Sequence, residues 1–161
     1  MGVARDVGQL VSGLRQGMIA GMGRWVCARC GREFANRNQA HLCAPGCSVE
    51  ECFAGRPEVQ REIYDEVLEH LSSLGPVHAD VVRVGVFLKS DRKIGEVRPM
   101  ARALSLELLL PRAVESPRVL RRMPVSGATT WHVVRLTAVE QVDEELRDWL
   151  TEAYDYATGE P

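Results

Sequence analysis

The chain has 161 residues, which is room for one domain of ordinary size with a small appendage. Apolar residues make up 45% of the sequence and charged residues 26%, values typical of soluble globular proteins that exclude disorder along the whole chain. The net charge of −2 provides no overall attraction to nucleic acid. The sequence contains no run of 18 apolar residues and no pattern typical of a secretory signal, so we expect a cytoplasmic protein without a membrane span.

The first 23 residues carry a weak helical pattern. Apolar residues recur there at helical spacing, at Val3, Val7, Leu10, Val11, Leu14 and Met18. Glycines interrupt the pattern, and each glycine inside a helix costs about 1 kcal/mol relative to alanine. We therefore predict a flexible tail or a weak helix over residues 1–23.

The cysteines predict a metal site. All five lie between Cys27 and Cys52, and this odd number close to a histidine favours metal ligation over disulfides. Cys27 and Cys30 have the C-x₂-C spacing of a turn that holds one ion, and Gly31 can adopt the positive φ that points backbone N–H groups at the sulfurs. His41 follows after ten intervening residues. This spacing predicts one zinc ion per chain, in a module over residues 24–52.

The fourth ligand has two candidates. Cys43 lies so close to His41 that the chain must leave helical geometry, because residues i and i+2 of a helix point about 200° apart. Cys47 follows His41 after five intervening residues, which is within the range of zinc fingers. Spacing alone leaves both open. Either choice completes a set of three cysteines and one histidine with no position for a catalytic water, so we expect a structural zinc ion.

Residues 53–161 predict an α+β domain, in which an antiparallel sheet is packed by an N-terminal and a C-terminal helix. The first helix has Pro57 at its start and is stopped by Gly75 and Pro76. Its apolar stripe consists of Val59, Ile63, Val67, Leu71 and Leu74. Near the end of the chain, Thr137 and Glu140 have the spacing of a capping box that opens a helix or a helical turn. A helical face then continues through Leu146, Trp149, Leu150, Ala153 and Ala157.

Strands are predicted between these helices. Apolar residues alternate with others from Val82 to Lys89, and residues 90–93 supply a turn. A second alternating segment runs from Arg102 to Leu110, and a third strand from Trp131 to Leu136.

Basic residues are concentrated in one part of the chain. From Arg83 to Arg122 there are ten basic and four acidic residues, whereas residues 123–161 contain two basic and eight acidic residues. A basic hairpin can contact phosphates, although basic side chains also protect a strand edge from aggregation. Few aromatic residues interleave with these charges, which argues against stacking of single-stranded bases. The candidate nucleic-acid contacts are Arg29, Arg32, Arg37, Arg92, Lys93 and Arg98.

No catalytic constellation is visible. His70 falls on a predicted solvated helix face, His78 in a turn and His132 in a strand, and none lies in a sequence context that activates a nucleophile. Phosphate-binding glycine motifs are absent from the sequence. We therefore expect a protein that is not an enzyme.

Several strings resemble a known family. Residues 25–34 and 38–43 are similar to the zinc-finger head of some bacterial proteins whose body is the domain of unknown function 5655. Three strings of the body also match, at residues 53–57, 95–99 and 148–154. The resemblance favours Cys43 over Cys47 as the fourth ligand. Relatives joined to restriction-type nuclease domains, and a likeness of the C-terminal part to small CyaY-like proteins, imply work near DNA by analogy alone.

These observations lead to one functional hypothesis and one alternative. We expect a non-catalytic zinc-binding accessory protein whose finger and basic hairpin contact nucleic acid. The alternative is a protein–protein adaptor in which the same surfaces bind an acidic partner.

Overall fold

The computed structural model describes residues 24–34, 36–41 and 43–159. The tail or weak helix predicted over residues 1–23 lies outside the described residues. The chain first forms a two-stranded antiparallel ribbon, in which β1 (Trp25–Val26) pairs with β2 (Glu33–Phe34). Helices α1 (Val49–Phe53) and α2 (Glu58–Leu74) follow, and α3 (Glu144–Thr158) comes after the sheet.

The sheet contains six antiparallel strands. In chain order they are β3 (His78–Val82), β4 (Gly85–Lys89), β5 (Lys93–Pro99), β6 (Leu104–Leu110), β7 (Val119–Ser126) and β8 (Thr129–Leu136). Their spatial order is β3-β4-β5-β6-β8-β7, so β7 lies at the outer edge beyond β8. An antiparallel sheet packed by helices confirms the predicted α+β class.

One face of the sheet meets the helices. Leu104, Leu106, Leu108 and Leu110 of β6 are fully buried, as their alternation predicts, and they pack in one cluster with Leu71 of α2 and with Leu146 and Leu150 of α3. Asp80, Phe87 and Glu96 occupy neighbouring register positions on β3, β4 and β5 and alternate with the core residues. They therefore belong to the face that the helices leave uncovered.

The prediction of one strand from Val82 to Lys89 is wrong in one respect, because this segment contains the end of β3, a turn and the whole of β4. β3 ends at Val82, and β4 begins at Gly85 after a turn formed by Arg83 and Val84. Val84 is 66% exposed. Val84 fits the apolar alternation of the sequence, so the predicted strand continued through the turn. Alternation alone does not distinguish a valine in a turn from a valine in a strand.

The helix ends differ slightly from their predicted positions. Pro57 is the residue before α2, and α2 ends at Leu74 before Gly75. Thr137 opens a 3-10 turn over Val139–Gln141, where the Gln141 side chain rather than that of Glu140 accepts the N–H groups of Thr137 and Ala138. Helix α3 has its own cap, because the Asp143 side chain accepts a hydrogen bond from the Leu146 N–H group.

The segment that follows the N-terminal ribbon is tied to the sheet by backbone contacts. Gly46 forms a single antiparallel bridge with Val82, and the N–H group of Cys47 donates to the Val81 carbonyl at 3.0 Å. The segment between ribbon and helices therefore runs along the outer edge of β3. Across the part of the chain that the structure describes, every helix is too short or too polar to cross a membrane.

Candidate metal centre

Four side chains of the N-terminal module converge on one point. Cys27, Cys30, His41 and Cys43 place one ligand atom each within 4.8 Å of all the others. The Cys27 and Cys43 sulfurs are 3.7 Å apart, and His41 Nε2 lies 3.4 Å from the Cys30 sulfur and 3.1 Å from the Cys43 sulfur. This cluster can hold a metal ion. Cys43 belongs to it because residues 39–41 and 43 are irregular rather than helical, as an H-x-C pair requires.

The turn after Cys27 provides the first pair of ligands. The Gly31 N–H group donates to the Cys27 carbonyl at 2.8 Å, and Gly31 has the positive φ of 71° that its position predicts. The backbone N–H groups of Cys30 and, to a lesser degree, Arg29 donate to the Cys27 sulfur and lower its pKa to about 6, although burial opposes the shift. The Cys27 thiol therefore readily becomes the thiolate that binds metals.

His41 is oriented by a second hydrogen bond. Its Nδ1 lies 2.6 Å from the Gln39 carbonyl oxygen, which can only accept, so Nδ1 carries the proton and Nε2 faces the sulfurs with a free electron pair. The imidazole also packs on the Phe34 ring at a centroid distance of 4.0 Å and lies beside Trp25 at 5.9 Å. These two aromatic residues form the small apolar core of the module.

The other two cysteines lie away from the cluster. Cys52 is buried in the main core, and Cys47 packs against its edge. Burial raises the pKa of both thiols, so they resist ionisation. All five cysteines of the chain are free thiols in the structure.

A buried carboxylate joins the metal module to the sheet. Asp80 on β3 accepts hydrogen bonds from the Arg32 guanidinium at 3.0 Å and from Lys89 Nζ at 2.6 Å. Burial alone would raise the pKa of Asp80, but the hydrogen bonds from Arg32 and Lys89 prevail and lower it. Lys89 also reaches the Glu33 carbonyl, and Arg24 donates to the Ser90 carbonyl. The module is thus fixed to β3 and β4 by charge rather than by apolar burial.

Cations collect in a cleft where the two regions meet. We name this the junction cleft and define it by its lining residues Arg24, Arg32, Phe34, Asn36, Gln39, Phe87, Lys89, Asp91, Arg92 and Lys93. Three of the six predicted nucleic-acid contacts, Arg32, Arg92 and Lys93, line it. The other three do not: Arg29 and Arg37 are exposed on the metal module, and Arg98 is exposed on β5 and paired with Glu96.

Two further cations of the cleft escaped selection from the sequence. Arg24 and Lys89 are not among the six contacts predicted from the sequence, although Lys89 falls within the basic stretch from Arg83 to Arg122. The sequence contains a weak signal for Lys89, because alternation along the predicted strand places it on the same face as Phe87. Nothing local to Arg24 indicates its position beside Ser90, which is 66 residues further along the chain.

The three histidines of the domain have structural contacts. The ring of His70 on α2 lies 3.1 Å from the Arg147 carbonyl and 3.0 Å from the Thr151 hydroxyl on α3. The buried His132 accepts the Val114 N–H group at Nε2. His78 is the first residue of β3, and burial lowers its pKa.

A family model described as a domain of unknown function (DUF5655) matches residues 49–157. The match spans all three helices and the six-stranded sheet, and begins after the four clustered ligands. The comparisons with curated proteins and with solved structures gave no match. The predicted boundary between metal module and domain, at residue 53, stays a prediction.

Proposed function

This chain belongs to the DUF5655 family, and we propose that it is a non-catalytic accessory protein that binds one structural zinc ion and contacts nucleic acid. The observation that carries the proposal is the junction cleft, where cations from the metal module and from the sheet meet. The proposal has two parts, the identity of the metal and the identity of the partner.

The ligand cluster suits zinc. A tetrahedral zinc ion with Zn–S bonds of about 2.3 Å and Zn–N bonds of about 2.0 Å places two sulfurs about 3.8 Å apart, and a sulfur and a nitrogen about 3.5 Å apart. The corresponding separations here are 3.7 Å for Cys27 and Cys43 and 3.4 Å for Cys30 and His41, whereas Cys43 and His41 are closer together at 3.1 Å. Three thiolates and one imidazole fill all four positions, which supports a structural role. A bound ion would hold together a module with very few buried apolar residues.

The charge of the junction cleft supports a polyanionic partner. Five of its lining residues are cationic and one, Asp91, is anionic. Asp80 and Glu96 lie beside the cleft and pair with Arg32, Lys89 and Lys93. Even with both carboxylates counted the charge stays positive, from five cations against three anions. The phosphate backbone of a nucleic acid is attracted to such a surface over the distance of a Debye length.

The experiment is a titration of the zinc-loaded full chain with a 20-base-pair duplex, followed by fluorescence anisotropy between 50 and 200 mM salt. We expect non-specific dissociation constants of about 10⁻⁴ to 10⁻⁶ M at physiological salt and a slope of about −0.9 per phosphate contact on logarithmic axes. The triple variant Arg24→Ala, Arg92→Ala, Lys93→Ala, in which all three residues line the junction cleft, should flatten that slope. A control with the same loss of charge, Arg102→Ala, Arg121→Ala, Arg122→Ala, should leave it nearly unchanged, because none of these residues lines the cleft.

Absence of any DNA or RNA binding at 50 mM salt would overturn the nucleic-acid part of the proposal. The adaptor alternative would then gain support if an acidic protein, identified by mass spectrometry, co-purifies equally well after nuclease treatment and is lost in the triple variant. Binding that does not depend on salt would also contradict the proposal, because phosphate contacts release counterions.

A further inference from the structure

The junction cleft has the dimensions of a ligand site. Its volume is about 330 Å³, and its walls come from two stretches of chain that are distant in sequence, residues 24–39 and residues 87–93. Clefts of roughly 300 to 1,000 Å³ typically hold small molecules or parts of larger ones. An isolated phosphate ion would fill only a small part of this volume.

Aromatic rings lie against Arg32, Lys89 and Lys93 of the cleft, and Arg92 donates to the Tyr156 and Ala157 carbonyls of α3. Lys93 Nζ lies 4.7 Å from the Phe87 ring centre and 4.8 Å from that of Trp131, and Lys89 Nζ lies 4.9 Å from the Phe34 ring centre. The Arg32 guanidinium is 5.4 Å from both phenylalanine rings. A ring face attracts a cation without cancelling its charge, as a carboxylate would. The rings help to fix these cations, which also pair with the carboxylates of Asp80 and Glu96. Charge is left for an anionic ligand because the cleft and its surroundings hold five cations against three anions.

A register shift brings two of these cations together. β4 and β5 pair regularly up to Leu88, and the irregularity between Leu88 and Lys89 sets Lys89 opposite Lys93. Such shifts re-aim side chains and are common beside functional sites. Two ammonium groups on adjacent strands repel each other, and Asp80 and Glu96 offset that repulsion from opposite sides. An anion between the two lysines would offset it further.

The remaining walls suit a nucleobase. Phe87, whose side chain is half-buried, supplies apolar surface, and the exposed side chains of Asn36 and Gln39 supply amide donors and acceptors at the rim. Bases in single-stranded regions are recognised by contact with aromatic side chains and by hydrogen bonds to their edges. In a paired duplex the bases are stacked and their edges are engaged, so a duplex offers this cleft only its phosphates.

We propose that the junction cleft binds one nucleotide of a single-stranded nucleic acid, with the phosphate against Lys89, Lys93 and Arg92 and the base against the apolar wall and the amides. The inference rests on the proposed function and narrows its ligand class. It also revises the expectation that scarce aromatic residues argue against single strands. Phe34, Phe87 and Trp131 are far apart in sequence, but folding places their rings beside the adjacent cations Lys89 and Lys93.

The experiment compares four probes on the zinc-loaded full chain at 50 mM salt: a ten-residue deoxythymidine strand, a 20-base-pair duplex, thymidine 5′-monophosphate and inorganic phosphate. We expect the strand to bind at least tenfold more tightly than the duplex and than either small probe. NMR titration of the unaltered protein with the strand should shift the amide signals of residues 87–93 and leave those of β7 in place.

Two variants test the roles of base and phosphate separately. Phe87→Leu keeps an apolar side chain but removes the ring, and should weaken strand binding about fivefold or more with little effect on the duplex. Lys93→Met keeps the side-chain stem but removes the charge, and should weaken both. Arg121→Met, on the edge strand, is the matched control and should change neither.

The outcomes separate this inference from the proposed function. Equal binding of strand and duplex, with Phe87→Leu without effect and no shifts at residues 87–93, overturns the inference and leaves nucleic-acid contact standing. No binding of either nucleic acid overturns the proposed function as well. Thymidine monophosphate binding as tightly as the strand would assign the cleft to a free nucleotide, and inorganic phosphate doing so would reduce it to an anion site. Either result overturns the single-strand assignment.

Discussion

The metal module and the α+β domain are stabilised by different physical means. The domain buries a continuous cluster of aliphatic and aromatic side chains between one sheet face and its helices. Among the described residues from 24 to 43, only Cys27 and Phe34 are buried, and Cys27 is a candidate ligand. Burial of apolar surface, at about 25 cal/mol per Å², can hold the domain but not the module.

The boundary between the two regions is stabilised neither by a metal nor by an apolar core. It is formed by charges, with Asp80 between Arg32 and Lys89, and by a single backbone bridge at Gly46. A polar boundary adds little stability but specifies orientation, because hydrogen-bonded ion pairs require a defined geometry. The comparison teaches that the position of the module relative to the sheet is set separately from the stability of either region.

Removal of the metal should have the largest effect, and this effect should be confined to the metal module. The variant Cys27→Ser should lose the ion and unfold residues 24–43, because zinc binding supplies about 10–16 kcal/mol of folding free energy in finger peptides at neutral pH. The domain should keep its core. Amide hydrogen exchange with metal analysis measures both effects.

Cys43→Ser should behave in the same way, and Cys47→Ser, the matched control, should keep one ion per chain. A metal content of zero or two in the unaltered protein contradicts the assignment.

Truncation in the core should produce the complementary result. Leu150→Ala removes a fully buried side chain of α3, and such changes typically lower the free energy of unfolding by about 2–5 kcal/mol. Urea denaturation measures the loss. Zinc content under native conditions should stay at one per chain. Loss of the ion in this variant without unfolding of the domain would show that the two regions are not separately stabilised.

The boundary should be weaker than either region. Asp80→Asn leaves Arg32 and Lys89 without their shared carboxylate, and we expect a loss of about 1–3 kcal/mol. The value is below that for complete removal of a partner from a buried ion pair because the asparagine side chain still offers an amide oxygen as an acceptor. A double-mutant cycle with Arg32→Met isolates the coupling. Exchange should quicken in residues 24–43 while the metal stays bound, and unchanged exchange there would refute the anchoring role of Asp80.

A modest pH effect should be confined to the domain. Burial, and to a smaller extent the charges of Arg122 and Arg112, lowers the pKa of His132 from its ordinary value of 6.5. The folded state therefore favours the neutral ring. The contribution of the neutral ring to the free energy of unfolding is complete above pH 6.5. It is lost as the pH falls from 6.5 through the folded-state pKa. His132→Gln should reduce the difference in unfolding free energy between pH 7.5 and 5.5, and an unchanged difference would exclude His132 as the cause.

The parts of this molecule that could be predicted from the sequence are those whose stability leaves a pattern in it. These parts are the buried faces of the domain and the ligands of the metal module. Alternating leucines on β6 and the apolar stripe of α2 are direct consequences of burial, so they are visible as patterns. The ligand spacing is a direct consequence of metal geometry. Strand β7 has mostly exposed residues and irregular register, and so it shows no alternation.

The junction cleft could not be predicted because it arises from contacts between segments. Arg32 and Asp80 are 48 residues apart, and nothing near either residue indicates the other. Asp80 also looks like an ordinary strand-surface carboxylate until the metal module covers it. Predicting such a site requires the relative placement of the two regions, which single-sequence patterns do not contain.

The sequence separation of the boundary contacts has a consequence for biosynthesis. The four clustered ligands leave the ribosome before β3 and β4, which carry Asp80 and Lys89, leave it. At about 5–20 residues per second, the interval between Cys43 and Lys89 lasts several seconds. The ligands can therefore capture an ion while their docking surface does not yet exist. Nascent chains stalled at successive lengths would resolve two events in fixed order, metal capture first and attachment to the sheet second.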